Sequence, residues 1–165
     1  MNIFITGKPG CGKSTLVSEL IELVAKKEIA YCGILTPEIR KNGLRIGFKI
    51  IALPDKEEEI LASTELRYPK VSKYGVNVEG IDKIVDIVKR NFNRAEVVFI
   101  DEIGKMEMFS EKFKEFLFEV LENDKKVVAT LNLALLKEFK EYGKVFWLTR
   151  ENYEDVKQSL LKILF

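Results

Sequence analysis

Two spacings of apolar residues alternate along this chain. Short, almost unbroken apolar runs at Asn2–Thr6, Ile29–Leu35, Glu96–Asp101, Lys126–Leu131 and Lys144–Thr149 predict strands buried on both faces. Between them the apolar positions recur at helical spacing. Leu16, Leu20, Leu23 and Val24 form one such set; Ile81, Ile84, Val85 and Val88 form another. Phe113, Phe116, Leu117, Val120 and Leu121 make a third, and Val156, Leu160 and Ile163 a fourth. Ala134–Phe139 predicts a short helix, while Ser110 and Asn152 stand where helix N-caps belong. Strands alternating with helices predict an α/β fold with a parallel sheet covered on both faces. Ligands of such sheets bind at the C-terminal strand edge, near the point where strand order reverses.

One stretch breaks the alternation. Arg40-Lys41-Asn42-Gly43-Leu44-Arg45 contains Asn-Gly, the strongest short hairpin signal, and Ile46, Phe48 and Ile50 alternate behind it. The expectation is a hairpin with Arg45–Leu53 as its return strand. Pro54 to Gly80 holds the charged run Glu57-Glu58-Glu59, a break at Tyr68-Pro69 and one short strand around Val71–Val76. No repeat, low-complexity tract or linker divides the chain. One domain over residues 1–165 is expected, long enough for a substantial core.

The link between the first strand and the first helix carries the chemistry. Gly7-Lys8-Pro9-Gly10-Cys11-Gly12-Lys13-Ser14 fits the phosphate-loop pattern G-x-x-x-x-G-K-[ST] at every fixed position. Several backbone N–H groups must converge on phosphate oxygens, and glycines remove the side chains that would obstruct them. The helix that follows points its partial positive end at the same anion. Lys13 adds a full charge at the β- and γ-phosphates, and Ser14 offers a hydroxyl to Mg²⁺. The cofactor-binding set is therefore Gly7, Lys8, Pro9, Gly10, Cys11, Gly12, Lys13, Ser14 and Thr15.

Bulk properties remove alternatives. With no histidine, Ser-His-Asp and Cys-His catalysis and histidine-bound zinc are excluded. Cys11 and Cys32 are too far apart for a zinc motif or a C-x-x-C pair. A net charge of +1 argues against nonspecific nucleic acid binding. No apolar run approaches the ~18 residues of a membrane span, and Lys8, Pro9 and Lys13 interrupt the N-terminal apolar stretch. A cytoplasmic monomer without membrane partners is expected.

A second acidic element follows from the first. In Val97-Val98-Phe99-Ile100-Asp101-Glu102, apolar residues lead into two acids. Asp101 at a strand end would hold Mg²⁺ opposite Ser14. Glu102 would orient and deprotonate a water aimed at the γ-phosphorus. Lys105 and Glu107 either approach the γ-phosphate or form a solvated turn. Arg150, after a strand at the ligand edge, contacts nucleotide or simply begins a helix. Arg40 and Arg45 reach inward or hold the hairpin ends. Trp147 is expected to pack in the sheet, and Met106, Met108 and Phe109 against helices.

Together these segments resemble the thermophilic nucleoside-triphosphatase family, whose vertebrate members are called cancer-related nucleoside-triphosphatases. The resemblance rests on Gly7–Thr15, Gly33-Ile34-Leu35-Thr36-Pro37-Glu38-Ile39-Arg40, Gly43–Phe48 and Lys73–Val76. It continues through Asp101-Glu102-Ile103-Gly104-Lys105-Met106-Glu107 and Leu148-Thr149-Arg150-Glu151-Asn152. It implies a three-layer α/β/α phosphate-loop domain with a mostly parallel, RecA-like sheet and a hairpin insertion. It also implies slow Mg²⁺-dependent hydrolysis of ATP, GTP and other nucleoside triphosphates with loose base preference. By position, Lys13 and Glu102 would be catalytic, and Ser14 and Asp101 would hold the metal. Asn152-Tyr153 departs from relatives that often carry arginine after the asparagine, which leaves the base-side contacts open.

Two other functions share this loop. A nucleoside or small-molecule kinase would need an arginine-bearing lid, and arginines here are few. A nucleotide-gated binding module would bind tightly and turn over negligibly.

Overall fold

The computed structural model describes residues Met1–Phe165. The elements, in order, are β1 (Asn2–Thr6), α1 (Lys13–Lys26), β2 (Tyr31–Leu35), β3 (Glu38–Lys41), β4 (Leu44–Leu53) and β5 (Glu58–Ser63). There follow β6 (Lys70–Val71), β7 (Tyr74–Val76), α2 (Val78–Phe92), β8 (Val97–Ile103), α3 (Glu111–Leu121) and β9 (Lys126–Leu131). The chain ends with α4 (Leu136–Phe139), β10 (Lys144–Trp147) and α5 (Tyr153–Leu164).

All ten strands join one sheet in the order β10-β1-β9-β8-β2-β4-β5-β7-β6, with β3 paired to β4. Strands β10, β1, β9, β8 and β2 run parallel. Beyond β2 every pairing is antiparallel. The expected α/β fold is present, and the expected hairpin is one part of a larger antiparallel wing. Glu58–Ser63 is a strand of that wing, although its charged start predicts a solvated run. The single strand expected near Val71 is a β6–β7 hairpin, turned at Ser72 with φ 55°.

The alternation of side chains divides the core between two faces. Ile3, Ile5, Val97, Phe99 and Val128 point at Leu16, Leu20 and Val24 of α1 and Val156 and Leu160 of α5. Phe4, Val98, Ile100 and Val127 point at Ile84 and Val88 of α2 and Phe113 and Phe116 of α3. Three layers result because a sheet apolar on both sides must bury both. Helix α3 begins where Ser110 predicts, its hydroxyl accepting from the Phe113 amide at 3.0 Å. Leu164, with Val156 and Leu160, completes the inward stripe of α5, while Ile163 is half-buried. Trp147 departs from expectation. It ends the edge strand β10 with 54% of its surface exposed, because no strand lies outside it. Phe109 is also exposed, whereas Met106 and Met108 pack against the larger core. No helix is long and apolar enough to cross a membrane.

Candidate active site

Thr6 ends β1, and Gly7 to Gly12 lead directly into α1. Gly7 and Gly12 have φ of 153° and 103°, values that L side chains rarely adopt. The sequence places glycine where the backbone must turn the wrong way for anything else. Lys8, Pro9 and Gly10 form the exposed crown of the loop, Cys11 is half-buried beneath it, and Ser14 and Thr15 open α1 on the solvent side. The first turn of α1 carries no acidic residue and no side-chain cap. Its amides therefore stay available to an external anion. Lys13 Nζ donates to the Gly7 carbonyl at 2.8 Å, which holds the ammonium across the mouth of the loop.

Facing Lys13 is the end of β8. Asp101 Oδ1 accepts from Thr130 Oγ1 of β9 at 2.6 Å, and Thr36 Oγ1 donates to the Asp101 carbonyl at 2.7 Å. Thr6 Oγ1 donates to the Leu131 carbonyl at 2.8 Å. Hydroxyls at adjacent strand ends thus satisfy groups that the sheet cannot pair there. Burial raises the Asp101 carboxyl above its usual range, opposed by the Thr130 and Ser14 hydroxyls and the Lys13 charge. Glu102 is raised by burial and by the Asp101 charge, opposed by Lys13 and by the Asn132 side chain.

Glu107 resolves one open alternative: it is a buried carboxyl, with 3% of its surface exposed. Lys105 remains on the surface. A methyl group on Gly104 would lie 2.8 Å from Glu107 Oε2 and 3.0 Å from Glu102 Oε1. The two carboxyls therefore converge over that glycine. Burial, then repulsion from Glu102, pushes Glu107 up to about 8.

That shift sets a pH dependence of stability. Glu107 binds its proton more tightly folded than unfolded, so its contribution is full below about 4.5 and lost as pH rises through about 8. Raised values at Asp101 and Glu102 act with the same sign. The unfolding free energy in chelator should fall between pH 5 and about pH 8, by up to about 1.4 kcal/mol per pH unit from Glu107 alone, and the melting temperature should fall with it. Glu107→Gln should flatten that slope in thermal melts; an unchanged slope would place the titration elsewhere.

Ser14 and Asp101 offer hard oxygen donors side by side, which suits a small divalent cation that keeps most of its waters. No group of three or more His, Cys, Asp or Glu is arranged as a protein-only metal cage. The arginines separate clearly. Arg150 Nη2 donates to the Gly10 carbonyl at 3.1 Å. Arg40 and Arg45 both pair with Glu38, at 3.0 and 3.2 Å, and Arg45 Nε also donates to the Tyr74 hydroxyl at 2.9 Å. These two brace the hairpin. Thr36, Thr130 and Asn132 escape sequence reasoning, although a polar residue ending a buried apolar strand, as in Val-Val-Ala-Thr-Leu-Asn, is the signal that could find them.

The sequence model of a family described as NTPase matches residues 2–161. The chain belongs to the NTPase family. Among NTPase relatives, the nucleoside-triphosphatase THEP1 of Methanocaldococcus jannaschii is 44% identical over 99% of this chain and 98% of its own. The Thermotoga sp. protein of the same name is 40% identical over 99% and 95%. The crystal structure of THEP1 from Aquifex aeolicus superposes with a TM-score of 0.86 at 32% identity, covering 99% of both chains. The solution structure of a human cancer-related nucleoside triphosphatase gives 0.80 at 27% identity, over 99% of this chain and 96% of that one. The NTPase fold thus extends over both the parallel core and the antiparallel wing.

Proposed function

We infer that this protein hydrolyses nucleoside 5′-triphosphates to the diphosphate and phosphate with Mg²⁺. The observation that carries the reading is the meeting of Lys13 and Ser14 with Asp101 and Glu102 at one strand edge, where the Lys13 charge acts on both carboxyls. The loop amides and Lys13 bind and orient the β- and γ-phosphates. Ser14 and Asp101 hold the metal. When bound, Mg²⁺ neutralises charge on the phosphate oxygens. Glu102 holds the attacking water and takes its proton, and a carboxyl raised above its usual range by burial is a better base for that purpose. Arg150 donates to the Gly10 carbonyl at the exposed crown of the loop. Main-chain recognition of phosphate reads no base, which supports broad base specificity. Two free thiols fit a reducing compartment, and one cytoplasmic domain acting alone is the simplest form of the protein.

Phosphate release from ATP, GTP, CTP and UTP, without added acceptor, tests this directly. Release is expected from all four, and a chelator should stop it. Release that appears only with a phosphoryl acceptor would make the protein a kinase.

A further inference from the structure

The turn linking β10 to α5, Leu148 to Asn152, together with Tyr153 at the start of α5, touches the phosphate loop at each of its glycines. At the first, the Leu148 amide donates to the Thr6 carbonyl at 2.8 Å, and a methyl group on Gly7 would lie 2.6 Å from the Leu148 carbonyl oxygen. At the second, Arg150 holds the Gly10 carbonyl at 3.1 Å. At the third, a methyl group on Gly12 would lie 3.2 and 3.3 Å from the Tyr153 ring. The ring is therefore seated against the residue that turns the loop into α1.

The turn is itself stiff. Asn152 stands at the N-cap of α5 as expected, but its side chain makes no cap hydrogen bond, because it is committed to the turn. Its Oδ1 accepts from the Thr149 amide at 2.7 Å, and its Nδ2 donates to the Trp147 carbonyl at 2.8 Å. The Asn152 amide donates to Thr149 Oγ1 at 3.1 Å. Behind the ring, the Tyr153 hydroxyl lies beside Glu19 of α1, which pairs with Lys157 of α5 at 2.8 Å.

We propose that this turn is a clamp that holds the phosphate loop in its anion-binding shape, with Tyr153 and Asn152 as positioning residues. A glycine-rich loop is conformationally free, and that freedom must be lost when its amides converge on phosphate. Packing at Gly7 and Gly12 and a hydrogen bond at Gly10 remove the freedom before the ligand arrives, so less affinity is spent on ordering. Neither positioning residue needs to touch nucleotide. The departure to tyrosine after the asparagine becomes intelligible, because an aromatic ring offers a flat face to a residue without a side chain.

The proposal rests on phosphate binding at the loop, so the probe is inorganic tripolyphosphate with Mg²⁺, followed by calorimetry far below the melting temperature. Wild type and Tyr153→Phe, which keeps the ring, should bind alike. Tyr153→Ala and Asn152→Ala should weaken binding on the order of 10- to 100-fold, the scale of a small misplacement transmitted to a site. KM for ATP should rise with them while kcat is largely kept, the signature of lost uniform binding. Asn152→Ala spares the core and carries the test if Tyr153→Ala does not fold. Wild-type affinity in the alanine variants, with only a lower melting temperature, would overturn the clamp. So would a Phe variant as weak as the Ala variant. Failure of wild type itself to bind the probe would overturn both the clamp and the triphosphatase reading.

Discussion

Lys13→Ala will abolish triphosphate hydrolysis and weaken triphosphate binding by about 10- to 100-fold, the scale of a lost charge-assisted hydrogen bond at 1.5–3 kcal/mol. The ammonium sits across the loop mouth, held by the Gly7 carbonyl at 2.8 Å. It is the full positive charge that acts on the buried Asp101 and half-buried Glu102 carboxyls. Without it, burial raises both carboxyls further, and repulsion from Asp101 adds to the rise at Glu102, so a metal site and a base weaken together. The loss of turnover should therefore exceed the loss of binding. Calorimetry with Mg²⁺ and a non-cleavable analogue measures the first effect, and phosphate release measures the second. Lys13 is half-buried and helix α1 keeps a good helix former in Ala, so the fold should survive. Wild-type turnover in this variant would remove the phosphate loop from the reaction.

Much of this architecture is legible in the sequence. Strand β9 runs from Lys126 to Leu131 as its apolar run predicts, and Ser110 caps α3. These features are local: one run of residues carries the whole signal. The wing was harder. Glu57-Glu58-Glu59 hides the start of β5, whose Leu61 and Ala62 are buried only because β4, β7 and α2 lie against them. Ser72 turns the β6–β7 hairpin at positive φ without the Gly or Asn that normally announces it. At the site, spacing points to the loop, and the loop in turn points to the acid pair. It could not identify Thr130 or Thr36, because each matters only through a hydrogen bond to Asp101 across strands 29 and 65 residues away in sequence. Glu107 shows the same limit. Its burial depends on where the chain turns after β8, so a solvated turn and a buried acid look identical in one dimension.

Glu102→Gln separates the chemical step from binding. The amide keeps the shape and the neighbourhood of Asn132 but cannot accept the proton of the attacking water. Hydrolysis should fall by about 10²- to 10⁴-fold, the usual worth of a general base, or about 3–5 kcal/mol in the barrier. Triphosphate binding should be at least as tight as in wild type. The substitution removes a negative charge near a polyanion, and it leaves Lys13, Ser14 and Asp101 in place. Single-turnover phosphate release, with the analogue Kd measured in parallel, distinguishes these effects. If hydrolysis instead persists at the wild-type rate, the proton must go elsewhere. Glu107 is then the group within reach, because its carboxyl and that of Glu102 converge over Gly104. In that event the double variant Glu102→Gln/Glu107→Gln should lose the activity that the single variant keeps.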